Sequence, residues 1–135
     1  MANNPESILD SVKKLLGFDA SYTAFDLDII MLINAVFGSL QEMGAGPDTA
    51  LTISDNTILW SAFSDLPEFL GLVQMYVFLS VKMAFDPPTG RFGLDAMEKM
   101  IAQYEWRINI KAEQNNPPSD PPIATKPIFS SPSPW

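Results

Sequence analysis

The chain has 135 residues, 16 acidic against 8 basic side chains, a net charge of −8, and neither cysteine nor histidine. This length suits one domain, and the missing side chains exclude disulfides, thiolate chemistry and the commonest general base and metal ligand. The acidic balance argues against nucleic-acid binding, which needs clustered Lys and Arg. The N-terminus lacks the basic and apolar regions of a signal peptide, so we expect the chain to be made in the cytoplasm.

The first half of the sequence predicts two helices. "PESILDSVKKLL" at 5–16 repeats its apolar residues at helical spacing, with Pro5 in the first turn and Gly17 as the stop. "DLDIIMLINAVFGSLQEM" at 26–43 predicts the second helix, with Asp26 as its N-cap and "GAGP" as its end. Because this helix is apolar on nearly every side, we expect it to be enclosed on more than one side.

The middle of the chain is less regular. "LTIS" at 51–54, followed by the turn residues "SDN", predicts a short strand or hairpin near 51–56. "TILWSAF" at 57–63 predicts a single short helical turn.

Two further helices follow, at 66–85 and 90–112. The third is apolar nearly all round, but its uncharged interval from Glu68 to Lys82 has 13 residues, whereas a bilayer span needs about 18–20; we therefore expect a buried helix. The fourth is amphipathic, and its apolar stripe consists of Leu94, Met97, Ile101, Tyr104 and Ile108. The residues Asp86, Pro87 and Pro88 predict a rigid corner between the two, because proline disfavours helical geometry in the residue before it.

From residue 113 the composition changes, and seven of the twelve prolines fall in 113–135. We predict a helical domain at 1–112, followed by an extended or disordered proline-rich tail at 113–135. The predicted fold class is all-α, a small bundle of about four helices. The tail also carries apolar residues that a purely solvating segment does not need: Ile123, Ile128, Phe129 and Trp135.

The sequence contains no catalytic or cofactor-binding motif, so we predict a protein without enzyme activity, metal or cofactor. The pair Asp26 and Asp28 could offer oxygen ligands to a divalent cation, but acidic residues also complement the N-terminal end of a helix. Glu98 and Glu105 are more simply explained by a solvated helix face than by a glycosidase pair.

Four segments together resemble the head–tail connector proteins of tailed bacteriophages. They are "ESILDSVKKLLG" at 6–17, "FDLDIIMLINAVFGSLQEMGAGP" at 25–47, "YVFLSVKMAFDPPTG" at 76–90 and "LDAMEKMIAQYEWRIN" at 94–109. The most specific pieces are "AFDPP" and "EKMIAQYEWRIN". The resemblance follows the order of the chain from residue 6 to about residue 110 and does not extend to the tail.

This resemblance implies a structural role in the virion. Family members form a ring, usually twelve-fold, beneath the portal protein at the capsid vertex. The ring extends the DNA channel and offers a docking surface to a stopper or tail-completion protein. An acidic wall would let DNA pass without sticking, because like charges repel the phosphate backbone; the same charge also favours solubility.

Two sets of residues are candidates for contacts with other chains. The aromatic residues and arginine of the last two helices suit the centre of a subunit interface; they are Phe69, Tyr76, Trp106 and Arg107. Tyr76 and Trp106 could equally belong to the chain's own core. The tail residues Ile123, Ile128, Phe129 and Trp135 are candidates for docking on the portal or a neighbouring subunit, against the alternative of a disordered appendage.

Two other classes of protein remain open from the sequence. A small membrane-active or regulatory oligomeric helical protein is one alternative, and a small enzyme that uses only carboxylates is the other. The short uncharged interval of the third helix argues against the first, and the absence of His and Cys argues against the second.

Overall fold

A computed structural model describes residues 6–115 and shows an all-α fold, as predicted. The elements are α1 (Ile8–Leu16), α2 (Asp26–Glu42), a 3₁₀ turn (Trp60–Ala62), α3 (Pro67–Phe85) and α4 (Arg91–Asn115). Within these residues the predicted strand near 51–56 does not form. The only extended pairing in this part of the chain is an isolated antiparallel bridge between Ser7 and Leu59.

The helix α1 begins later than its sequence suggested because Ser7 is its N-cap. The Ser7 hydroxyl accepts a hydrogen bond from the Asp10 N–H at 3.2 Å, which satisfies one of the free donors of the first turn. The helix ends at Gly17, whose φ of 97° lies in the left-handed region that glycine adopts without strain. The predicted helix is therefore confirmed, with a different first residue.

The start of α2 corrects the predicted role of Asp26. The N-cap is Phe25, which makes no side-chain capping bond, and Asp26 is already helical. Its carboxylate Oδ1 lies 2.8 Å from Nζ of Lys13, whose side chain is only 1% exposed. Lys13 also donates to the Ala20 carbonyl at 3.0 Å. A buried ammonium requires such partners, so Asp26 joins α2 to α1.

The segment predicted as a strand is held by a side chain instead. The Asn34 carboxamide of α2 accepts from the Ile53 N–H at 2.8 Å and donates to the Ile53 carbonyl at 3.0 Å. This bidentate contact replaces the ladder partners that a strand would supply. The short helical turn predicted nearby is confirmed, and its Trp60 donates through Nε1 to the Ser11 hydroxyl at 2.9 Å.

The core surrounds α3, which packs against α1, α2 and α4. Three aromatic rings stack in this core: Phe37 of α2 lies on Phe63 with ring centroids 5.5 Å apart, and Phe63 lies on Phe69 of α3 at 6.3 Å. The buried aliphatic residues around these rings come from every helix and include Ile8, Val12, Ile29, Ile33, Leu40, Val73, Val77, Val81 and Ile108.

In the part of the chain that the structure describes, α3 is long and apolar enough to cross a membrane, judged by length and composition. The uncharged interval counted in the sequence therefore does not exclude a span. In the fold, only four of the 19 residues of α3 are exposed, namely Pro67, Glu68, Gly71 and Ala84. Six of the others are buried and nine are half-buried, so α3 packs against its own chain along its length without being fully enclosed.

Candidate assembly surfaces

The corner between α3 and α4 comprises Asp86, Pro87 and Pro88, because α3 ends at Phe85 and α4 begins at Arg91. The Asp86 N–H donates to the Lys82 carbonyl at 2.8 Å, and the Asp86 carboxylate lies 3.3 Å from Nζ of Lys82. A Cβ at Gly93 would come within 3.3 Å of the Pro88 ring. The missing side chain thus lets the first turn of α4 pack closely on the corner.

Two of the predicted interface residues lie inside the chain's own core. Phe69 is 5% exposed and stacks on Phe63, and Tyr76 is 6% exposed. The Tyr76 hydroxyl donates to Oε2 of Glu105 at 3.4 Å, which connects α3 to α4. Burial first, and then the Glu105 carboxylate, raise the pKa of Tyr76 above its ordinary value. Little of either aromatic ring is left for a second chain.

The other two predicted interface residues face solvent. Trp106 is 64% exposed, and Arg107 beside it is also exposed. The Arg107 guanidinium lies 5.5 Å from the centre of the Tyr104 ring, a distance typical of a cation–π contact. This contact holds the arginine against α4, so that a partner would meet a partly ordered side chain.

Sequence reasoning missed three other exposed apolar residues. Among the described large apolar side chains, four expose more than three-fifths of their surface: Phe92 at 90%, Leu27 at 71%, Trp106 at 64% and Met31 at 62%. Two of them belong to α2 and two to α4. Isolated exposed apolar residues are ordinary, and only Leu27 and Met31, four residues apart on α2, are neighbours on one helix face.

An open groove runs between the start of α3 and the end of α4. It has a volume of about 460 Å³, and its walls are Glu68, Gly71, Leu72, Met75, Tyr104, Arg107 and Lys111. The Lys111 ammonium lies 3.7 Å from the Glu68 carboxylate across the groove. The lining therefore combines the apolar side chains Leu72 and Met75 with one acidic and two basic residues.

Four aromatic rings cluster next to the corner. Phe18 contacts Tyr22 with ring centroids 5.5 Å apart, and Phe25 contacts Phe85 at 5.4 Å. Phe18 also meets Phe85 at 5.9 Å. The cluster packs the loop between α1 and α2 against the end of α3.

No group of three or more His, Cys, Asp and Glu residues that could hold a metal ion occurs among residues 6–115. Two of the four carboxylates considered in the sequence have contacts within the chain. Asp26 pairs with Lys13, and Glu105 accepts from Tyr76. The tail candidates Ile123, Ile128, Phe129 and Trp135 lie outside the described residues.

The structure is that of a small helical protein with exposed apolar side chains on α2 and α4. The family model described as "Phage connector protein" matches residues 8–115. The chain belongs to this family and is a structural phage protein, as the resemblance of its sequence predicted. No curated protein and no solved structure matches the chain.

Proposed function

We propose that the chain forms a ring between the portal and the tail or stopper protein, where it extends the DNA channel and joins head to tail. The observation that carries this proposal is the family match across all four helices, Ile8 to Asn115. Exposed apolar pairs on α2 and on α4 supply the two separate contact faces that a ring of identical copies needs. The role is structural and requires no catalysis, and it places the chain at the capsid vertex of the virion.

The distribution of charge supports the passage of DNA without binding. Residues 6–90 contain eleven acidic and three basic side chains, whereas α4 contains four of each. A channel wall built from the acidic part would repel the phosphate backbone at every step. Phage ejection in low salt, where charge repulsion is least screened, tests this part of the proposal. Replacement of exposed acids by lysine should slow ejection there, and an unchanged rate would contradict an acidic channel wall.

The test of the whole proposal is a phage in which translation of this chain is stopped. We expect infected cells to accumulate DNA-filled heads and free tails that fail to join, visible by electron microscopy. Supply of the full chain from a plasmid should restore joined particles. Normal joined particles without the chain would contradict a connector role.

The second proposal concerns the tail. We propose that residues 121–135 dock on the portal or on a neighbouring subunit through Ile128, Phe129 and Trp135, with Ile123 as a further apolar contact. A proline-rich segment loses less entropy on binding than a flexible one. Deletion of these residues should reduce retention of the chain on portal-containing particles. Unchanged retention would contradict the docking role.

A membrane-active function is the alternative that one observation favours, since α3 meets the length and composition of a span. Fractionation of infected cells separates the two functions. We expect the chain in virions and in the soluble fraction, and its accumulation in membranes would favour the alternative.

A further inference from the structure

The exposed faces of α2 and α4 differ in side-chain size and charge, and these differences determine which face of one copy could contact which face of another. On α4, Phe92, Lys99 and Trp106 are spaced seven residues apart. This spacing places them in one row along the helix, opposite the row that carries the partly buried Ile101 and the buried Ile108. The row is about 21 Å long at the α-helical rise. It presents an aromatic ring at each end, with the Lys99 ammonium and the exposed Asp95 carboxylate between them.

The outer face of α2 is the counterpart. The exposed side chains Leu27 and Met31 lie at one end of this face. The next two turns carry only the small residues Ala35, which is exposed, and Gly38, which is half-exposed. A Cβ at Gly38 would meet no atom within 4 Å, so open space lies over this position. Glu42 closes the row with a negative charge. Large side chains followed by small ones leave room for a ring that projects from another helix.

Charge decides which faces can pair. The helix α2 carries Asp26, Asp28 and Glu42 and no basic residue. Two α2 faces would therefore repel each other. The helix α4 carries four acidic and four basic side chains, so pairing α4 with α2 avoids that repulsion.

We propose that the α4 face of one copy, Phe92–Lys99–Trp106, packs against the α2 face, Leu27–Met31–Ala35–Gly38, of a second copy. This inference rests on the proposed ring and names its two contact surfaces. Both faces point away from α3, so each copy keeps one face free when the other is occupied. Such a head-to-tail contact passes from copy to copy and can close into a ring, which a symmetric dimer contact cannot do.

The absence of cysteine from the chain makes cross-linking the direct test. One variant of the full chain carries Ala35→Cys and Gln103→Cys, which place one thiol on each face and leave all four apolar anchors intact. It is treated at high concentration with a flexible bis-maleimide reagent and resolved by denaturing electrophoresis. We expect a ladder of trimers and larger species, because each copy offers two different faces.

The controls separate a specific contact from collisions. The single variants Ala35→Cys and Gln103→Cys should remain monomers, and the exposed pair Thr49→Cys with Ser61→Cys gives the background of random cross-links. Addition of Trp106→Ala to the double variant should reduce the ladder about tenfold or more, as expected for loss of an aromatic anchor of the contact.

Three results would overturn the inference: dimers from a single variant, a ladder no stronger than that of the Thr49 and Ser61 control, or a ladder insensitive to Trp106→Ala. Mass spectrometry of purified virions distinguishes failure of this inference from failure of the proposed function. If the chain is present in virions but the ladder is absent, the connector function stands and the two faces are wrong. If the chain is absent from virions, the proposed function fails whatever the cross-linking shows.

Discussion

The helices α3 and α4 pack against each other but differ in how much of each is exposed to solvent. In α3 only four of 19 residues are exposed, whereas in α4 fourteen of the 24 residues from 91 to 114 are exposed. The side chains of α3 fill the core, and α4 covers one side of the core with a narrow apolar stripe. An apolar residue therefore stabilises the subunit when it belongs to α3 and is available for a partner when it lies on the outer row of α4.

Because α3 and α4 differ in exposure, the expected contact surface lies on α2 and α4 and not on α3. The sequence placed two of the four interface candidates, Phe69 and Tyr76, on the apolar third helix. In the fold few residues of α3 are exposed, and the most exposed large apolar side chains belong to α2 and α4 instead. The interface candidates of the sequence, Phe69 and Tyr76, stay within the subunit for the same reason.

The largest effect is expected when the same substitution, Phe to Ala, is made on α3 and on α4. Phe69→Ala should lower the free energy of unfolding by about 3–5 kcal/mol, because it empties a buried aromatic site. Phe92→Ala, its matched control, removes a ring that is almost wholly exposed and should change stability by no more than about 0.5 kcal/mol. Urea denaturation of the full chain measures both. Equal losses would contradict the contrast between the helices.

The next effect concerns the buried ion pair that anchors α1 to α2. Asp26→Asn should cost about 3 kcal/mol or more, because it leaves the Lys13 ammonium buried without a counter-charge. Lys13→Met should cost less, since the Asp26 carboxylate is one quarter exposed and can be hydrated. Thermal and urea unfolding of the two variants give the order. The reverse order would show that Asp26, and not Lys13, is the more deeply buried charge.

The contact between α3 and α4 has its own pH dependence. Because the folded-state pKa of Tyr76 is raised, its protonated form contributes stability that is complete below the unfolded pKa of about 10 and is lost as pH rises through the folded value. Tyr76→Phe should make the decline of stability above about pH 10 shallower. Tyr22→Phe, which removes an exposed hydroxyl, is the control. Identical slopes for the two variants would contradict the role of Tyr76.

The smallest effect is expected at the surface pair between the same helices. Lys111 and Glu68 are both exposed at 3.7 Å separation, and such pairs contribute about 0–1 kcal/mol. Lys111→Ala should therefore leave the free energy of unfolding nearly unchanged, and added salt should have little effect on the difference. A loss as large as that of Phe69→Ala would show that α4 is held by its charges and not by its apolar stripe.

The sequence predicted the helices and the corner because their signals are local. Apolar spacing, Gly17, Pro67 and the double proline each act within a few residues. The role of Asp26 was wrong because its partner is Lys13 on another helix, a contact that no local pattern contains. The strand near 51–56 was wrong because the Asn34 carboxamide occupies the backbone groups of Ile53.

The candidate surfaces were only partly predictable. Phe92 lies opposite the apolar stripe of α4, so the helical spacing in the sequence already indicates that it is exposed. Leu27 and Met31 could not be found in this way, because α2 is apolar on nearly every side and only tertiary packing decides which side faces outward. Trp106 was selected by residue type, and the structure supplies the exposure that residue type alone does not.

The connector role is tested most directly by electron microscopy of the vertex of purified virions. An affinity label placed next to Glu6 locates the chain in the images. The account predicts a closed ring of copies between portal and tail, with α4 of each copy against α2 of the next. Label density elsewhere on the particle, or a vertex without this chain, would contradict the account.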